Sequence, residues 1–408
     1  MLSQKTLENY CEITLKLGVN LQRGQGVEII CPVEHHSVAV IMTKKAYELG
    51  ASIVRIRWSA EKVDRLNYIH ADENELVNVP KWYVDSKNDL VDKNFCYVAL
   101  ISDDPNCFND VPSQRLAKAT IAKSKALKRY FNAVTSNKIR WCLASLPSYE
   151  WARTVFPNSE NPEEDLTNAI IKSMRLDKAN PLKEWEKHIS DLEKRTAFLN
   201  QNDFEYLHFS NGIGTDLTVG LCQDHVWLSA KEKAQDGIDF IANLPTEEVF
   251  TAPHRLKVDG VVKSAKPLSL NGKIIDQFSL TFKNGKVVDY SAKVGEDVLK
   301  TLLGTDKGTV RLGEVALIGK NSPISKSGIL FYNTLFDENA SCHLALGKAY
   351  PTTVKNGTNL SGKELMALGA NDSLEHEDFM IGTPDLKVVG IRKDKTHVLI
   401  FNNGKWVI

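Results

Sequence analysis

The sequence has no excess of charge: 51 basic side chains face 51 acidic ones over 408 residues. Without a net positive field it has no general means of gathering phosphates or anionic lipid, which argues against nucleic-acid and membrane partners. Long apolar runs are missing as well. The longest are strand-sized pieces such as Val98 to Ile101, far short of the roughly 20 residues a membrane-spanning helix needs. The opening segment, MLSQKTLENYCEITLKLGVN, interrupts its apolar residues with charges, so it does not read as a secretory signal. Cysteine is sparse. The seven present (Cys11, Cys31, Cys96, Cys107, Cys142, Cys222 and Cys342) are odd in number, scattered and without a CxxC pair. A zinc ribbon or thioredoxin-like redox site therefore has no support, and reduced core thiols in a cytoplasmic protein are expected. There is no GxSxG elbow and no HExxH helix. Cys342 and His343 are strand neighbours that face opposite sides, so covalent catalysis has little support.

What is present is ordinary globular composition, 42% hydrophobic and 25% charged, in a chain longer than the roughly 250 to 300 residues at which one core stops growing. Two domains are expected. In the first half, GVEIICPV (Gly26 to Val33), SIVRIRW (Ser52 to Trp58), FCYVALIS (Phe95 to Ser102) and RWCLASL (Arg140 to Leu146) alternate with helical stretches at 36–49 and 113–135. That alternation predicts an α/β domain with an open, mostly parallel sheet. In the second half, Asn-Gly pairs occur five times, at 211–212, 271–272, 284–285, 356–357 and 403–404. As the preferred dipeptide of type I′ hairpins, they predict an α+β domain rich in antiparallel strands. A periodic Glu-, Lys- and Leu-rich stretch from Asn161 to Gln201 reads as a helical connector. The boundary is set near Asn200, giving residues 1–200 and 201–408, with the chemistry expected in the second.

Four segments of that second half carry acidic or imidazole side chains beside apolar runs: NLPTEEVFTAP with Glu247 and Glu248, RLGEVALIG with Glu314, FYNTLFDENASCHLALGKAY with Asp337, Glu338, His343 and Tyr350, and NDSLEHEDFMIG with Glu375, His376, Glu377 and Asp378. In an extended backbone residues i and i+2 point the same way, so His376 and Asp378 can serve one ion together. Each segment also has a plain structural explanation. His343 reads alone as a hydrogen-bonded core histidine, Glu247-Glu248 as solvated loop charges, and Glu375 to Asp378 as a surface turn. The combined inventory of carboxylates and imidazoles matches the ligand set of a hydrolytic divalent-metal site.

Together NLPTEEVFTAP, GEVAL, FYNTLFDENASCHLALGKAY and HEDFMIG resemble the thermophilic-type metalloaminopeptidases, the aminopeptidase T, aminopeptidase S and PepS-like family, over essentially the whole chain in length and domain order. The resemblance implies that Glu248, Glu314, His343, His376 and Asp378 bind two divalent ions, whether zinc, cobalt or manganese, and that Tyr350 stands beside them. It implies an aminopeptidase acting on peptides with a free N-terminus, and a homodimer. On that basis Glu314 or Glu248 carries the proton from the attacking water to the leaving amine, and Tyr350 donates to the tetrahedral oxyanion. The alternative for Tyr350 is a strand tyrosine with a packed ring and a solvated hydroxyl. Glu247 is taken as a solvated neighbour of Glu248.

One motif lies outside this scheme. In CPVEHH, Glu34, His35 and His36 follow the first strand at the edge where open α/β sheets bind ligands. A second metal or nucleotide site is one reading and helix capping the other. No phosphate-cradling glycine loop follows that strand, which favours capping; Gly24-x-Gly26 precedes it, and both that pair and Gly212-x-Gly214 are read as turns. Two other functional classes stay open: a metal-free protein using the N-terminal sheet as a ligand crevice, and a metal-dependent hydrolase of a non-peptide amide or phosphate ester.

Overall fold

A computed structural model describes residues 3–270 and 272–408. The chain divides into two compact units, Met1–Ile189 with Ala230–Thr246, and Ser190–Ser229 with Glu247–Ile408.

In the first unit the predicted apolar runs become β1 (Gly26–Pro32), β2 (Ile53–Ser59), β3 (Cys96–Ile101) and β4 (Trp141–Ser145). Among the described residues they join the short strand Asn243–Leu244 in a five-stranded sheet, in the order Asn243–Leu244, β4, β3, β1, β2. Every pair is parallel. Val27, Ile29 and Cys31 of β1 are fully buried, as a central strand covered on both faces requires. Strand order reverses between β1 and β3, which opens a crevice at the carboxyl ends of those strands. Glu28 of β1 is also buried and accepts a hydrogen bond from the buried Lys87 at 2.5 Å, with Arg57 at 3.4 Å. The helix predicted over 113–135 is two helices, Ser113–Ala126 and Lys128–Thr135. Leu127 at the break joins Tyr130, Val134, Val91, Phe95 and Trp141 in one buried cluster, and that burial wins over helical continuity.

The second unit is antiparallel. Among the described residues it holds a nine-stranded sheet, which includes Phe204–Ser210, Asp216–Leu221, Pro253–Lys263 and Lys273–Lys283, and a five-stranded sheet. Asn284-Gly285 and Asn403-Gly404 have positive φ at both residues and turn two-residue hairpins, as type I′ geometry demands. Of the other described pairs, one makes a hairpin with a longer turn and one makes none. Asn211-Gly212 lies in a five-residue loop in which the Asn211 side chain accepts the Thr215 N–H. Asn356 is left-handed but Gly357 opens a 3-10 turn, with no room for a β-carbon against the Pro351 carbonyl. Asn271 lies outside the described residues.

The smaller sheet is made of β5 (Val249–Thr251), β6 (Leu312–Leu317), β7 (His343–Gly347) and β8 (His376–Met380), ordered β8-β7-β6-β5 with Leu228–Ser229 at the far edge. Its register pairs Glu314 with Ala345 and Ala345 with Asp378, His343 with Ala316 and Met380, and Gly347 with His376. Directly paired residues share a face, as do residues two apart. Glu314, His343, His376 and Asp378 therefore project from one face, with only Ala316, Ala345 and Gly347 between them. A bulge at Gly313 shifts the register just before Glu314; a β-carbon there would meet the Lys348 carbonyl oxygen at 2.4 Å. Gly347 has φ of 105°, and a β-carbon would lie 2.1 Å from the Glu375 carbonyl oxygen. Gly347→Ala is therefore expected to cost about 1–3 kcal/mol from backbone strain alone, with further loss as β8 is pushed away. A thermal unfolding midpoint equal to wild type would show that the strand pair tolerates the change.

Candidate metal centre

Four strands deliver the five candidate side chains. Glu248 is the residue before β5, Glu314 follows the bulge in β6, His343 opens β7, and His376 and Asp378 occupy alternate positions in β8. Glu248, Glu314 and His343 are buried. His343 Nε2 lies 3.2 Å from Glu248 Oε2, 3.4 Å from Glu314 Oε1 and 3.7 Å from Asp378 Oδ1. His376 Nε2 lies 3.7 Å from Glu314 Oε2 and 3.6 Å from Asp378 Oδ2. Glu314 and Asp378 thus each turn one oxygen toward one imidazole and the other oxygen toward the second. Two overlapping triads result, Glu248–Glu314–His343 and Glu314–His376–Asp378, each with ligand atoms within 4.8 Å of one another.

Backbone carbonyls orient both rings. His343 Nδ1 is 3.0 Å from the Glu338 carbonyl oxygen and His376 Nδ1 is 2.6 Å from that of Lys348. A carbonyl only accepts, so each Nδ1 carries a hydrogen and each Nε2 is the nitrogen that faces the carboxylates, the one that would offer a lone pair to a metal after giving up its proton. Asp378 Oδ1 is buried and accepts no hydrogen bond, which suits a cation ligand and little else. These residues fit a divalent metal.

The electrostatics point the same way. Burial raises the Glu314 carboxyl to about 7, and the charges of Asp378 and Glu248 add to it while hydrogen bonding to His343 opposes. Burial disfavours a charged His343, but Glu248, Glu314 and Asp378 outweigh it and hold its pKa well above the ordinary value. Tyr350 lies in the loop after β7 with its ring centroid 4.6 Å from that of His376 and 6.4 Å from that of Phe250. It is not a strand residue. Glu247 departs from expectation: it is buried, and its N–H donates to Asn339 Oδ1 at 2.6 Å.

Sequence reasoning gave Glu338 no role. It is buried in the 3-10 turn before β7, and its pKa is raised by burial and by the charges of Asp378 and Glu248. Asn339 bridges it to the Glu247 backbone, donating from Nδ2 to Glu338 Oε1 at 3.2 Å. The one available signal was the polar triplet Asp337-Glu338-Asn339 inside an otherwise apolar stretch.

The profile of the thermophilic metalloprotease family M29 matches residues 3–406. The chain belongs to that family. Aminopeptidase 2 of Geobacillus stearothermophilus is 41% identical over 405 residues, covering 99% of this chain and 98% of its own. Aminopeptidase T of Thermus aquaticus is 37% identical over 408 residues, covering 99% of both. The solved structure of wild-type AmpT from Thermus thermophilus superposes with a TM-score of 0.90 at 35% identity, over 99% of this chain and 100% of that one. This M29 protein is accordingly a metalloaminopeptidase, a hydrolase of the exopeptidase type that uses divalent metal, and the expected resemblance and two-part α/β plus antiparallel fold hold.

In the metal-free M29 protein the raised groups have a definite sign. A carboxyl raised from about 4.5 to about 7, like Glu314, favours the protonated fold, so stability is lost as pH climbs through that interval. The raised His343 contributes stability below about 6.5 that is lost at higher pH as its proton leaves. Both act in one direction. Chelator-treated protein should melt at a lower temperature at pH 8 than at pH 6, and added metal should restore more at pH 8. A flat profile in chelator would mean that these groups are not buried together.

Proposed function

We propose that this chain removes N-terminal residues from peptides by means of two divalent ions per chain, drawn from zinc, cobalt or manganese, held by Glu248, Glu314 and His343 on one side and Glu314, His376 and Asp378 on the other. The observation that carries this reading is the turning of Glu314 and Asp378, one oxygen toward each histidine. Bound divalent ions supply a water that is acidic near neutral pH and polarise the scissile carbonyl. The chain's own groups do the rest. Glu314 or Glu248, whose carboxylates line the first triad, accepts the proton of the attacking water and returns it to the leaving amine. Tyr350, held beside His376 by ring packing, donates from its hydroxyl to the developing oxyanion. Binding of a free, unprotonated α-amine at the metal centre would confine attack to the first peptide bond.

The catalytic residues are assigned to the expected 201–408 segment, from which 230–246 are set apart because they cluster with the first unit, in a cytoplasmic homodimer. Seven free, buried cysteines support a reducing compartment, and the family resemblance supports the dimer.

Metal analysis of wild type and His376→Ala, alongside hydrolysis of aminoacyl chromogenic substrates and their N-acetylated counterparts, tests the reading. Wild type should hold about two ions per chain and cleave only the free-amine substrate, while the variant loses metal and activity. Metal with no cleavage would indicate a hydrolase of other substrates, and absence of metal after reconstitution would sink the proposal. Tyr350→Phe should keep its metal but lose about 100-fold or more in kcat; unaltered turnover would return Tyr350 to a packing role.

A further inference from the structure

We propose that the crevice at the carboxyl ends of the parallel strands is a second site, which binds a small organic cation, an aliphatic amine. A cavity of about 570 Å³ opens there, within the range of small-molecule sites and at the strand-order reversal where open α/β sheets take their ligands. Its walls are the segments that follow β1, β2 and β4.

Three observations give the ligand its chemistry. The first is the sign of the charge. Glu34, Glu61, Glu150 and Glu163 line the crevice against one cation, Lys62, which already pairs with Glu150 at 2.5 Å. His35 adds no positive charge at neutral pH, because burial lowers its pKa. An anion is repelled, and the Asp104 N–H that would cradle one already donates to both Glu61 oxygens at 3.0 and 3.1 Å. The second is spacing. Among the described residues, three ligand atoms gather within 4.8 Å only in the two triads of the metal centre, so these dispersed carboxylates fit an extended cation rather than a metal ion. The third is the apolar lining from Leu7, Val33, Val38 and Leu146, which suits a methylene chain.

The fold leaves a repulsion here for such a ligand to relieve. Burial lifts the Glu61 carboxyl to about 7, with the charges of Asp103, Asp104 and Glu34 adding to it. His35 Nε2 sits 2.9 Å from Ser102 Oγ. Ser102 is buried and does not line the crevice, so it holds the imidazole in place and is no nucleophile.

Calorimetric titration of the full-length, metal-loaded protein with 1,4-diaminobutane and 1,5-diaminopentane, and in parallel with inorganic phosphate and AMP, tests the site. Saturable diamine binding is expected, weakened about tenfold or more in Glu61→Gln, as loss of one charged hydrogen bond implies, and unchanged in His376→Ala. Glu34→Gln, checked for folding by circular dichroism, gives an independent reading if Glu61→Gln misfolds. Absence of saturable binding at millimolar diamine would overturn the proposal. So would loss of binding in His376→Ala with retention in the glutamine variants, which moves the amine to the metal centre, or binding of phosphate or AMP in its place.

Discussion

Four carboxylates, from Glu248, Glu314, Glu338 and Asp378, crowd around one fully buried imidazole, and the rest of the second unit depends on how that negative charge is offset. Burying an ionised group without a counter-charge costs far more than any single packing contact returns. The His343 imidazolium supplies one positive charge, and only by holding a proton that a metal ligand must give up. Divalent cations bound there, as proposed, would offset the remainder and release that proton, making metal binding and the stability of the unit one equilibrium viewed from two sides.

The β-sheet makes this crowding geometrically affordable. Antiparallel register sets Glu314, Ala345 and Asp378 in a row across β6, β7 and β8, with His343 and His376 on the same face. The bulge at Gly313 and the left-handed Gly347 let the backbones close in around that row. Alanine between the two carboxylates leaves the space in which ions would lie, so a larger residue at 345 would displace ions without touching a ligand.

Much of this was legible in the residues, for identifiable reasons. Apolar runs and their alternation with helices specify the parallel sheet because burial on both faces leaves little room for polar side chains. The two-residue period puts His376 and Asp378 on one face without coordinates. What remained hidden depends on long-range packing. The burial of Glu247 rests on Asn339, 92 residues away, and Glu338 reaches the cluster through a 3-10 turn with no periodic signature. The break at Leu127 follows a cluster whose members come from several helices and strands. Asn-Gly pairs signalled hairpins where neighbouring strands could pair across them, as at Asn211, Asn284 and Asn403 but not at Asn356.

The return of residues 230–246 to the first unit has a genetic consequence. Asn243–Leu244 supplies the edge of the parallel sheet against β4, and Ala234, Phe240 and Ala242 belong to the buried cluster around Trp141. The two units are therefore interleaved in the reading frame. Neither can be excised as one uninterrupted stretch, so a shuffling event that traded either unit between relatives would have to move two pieces of gene in register.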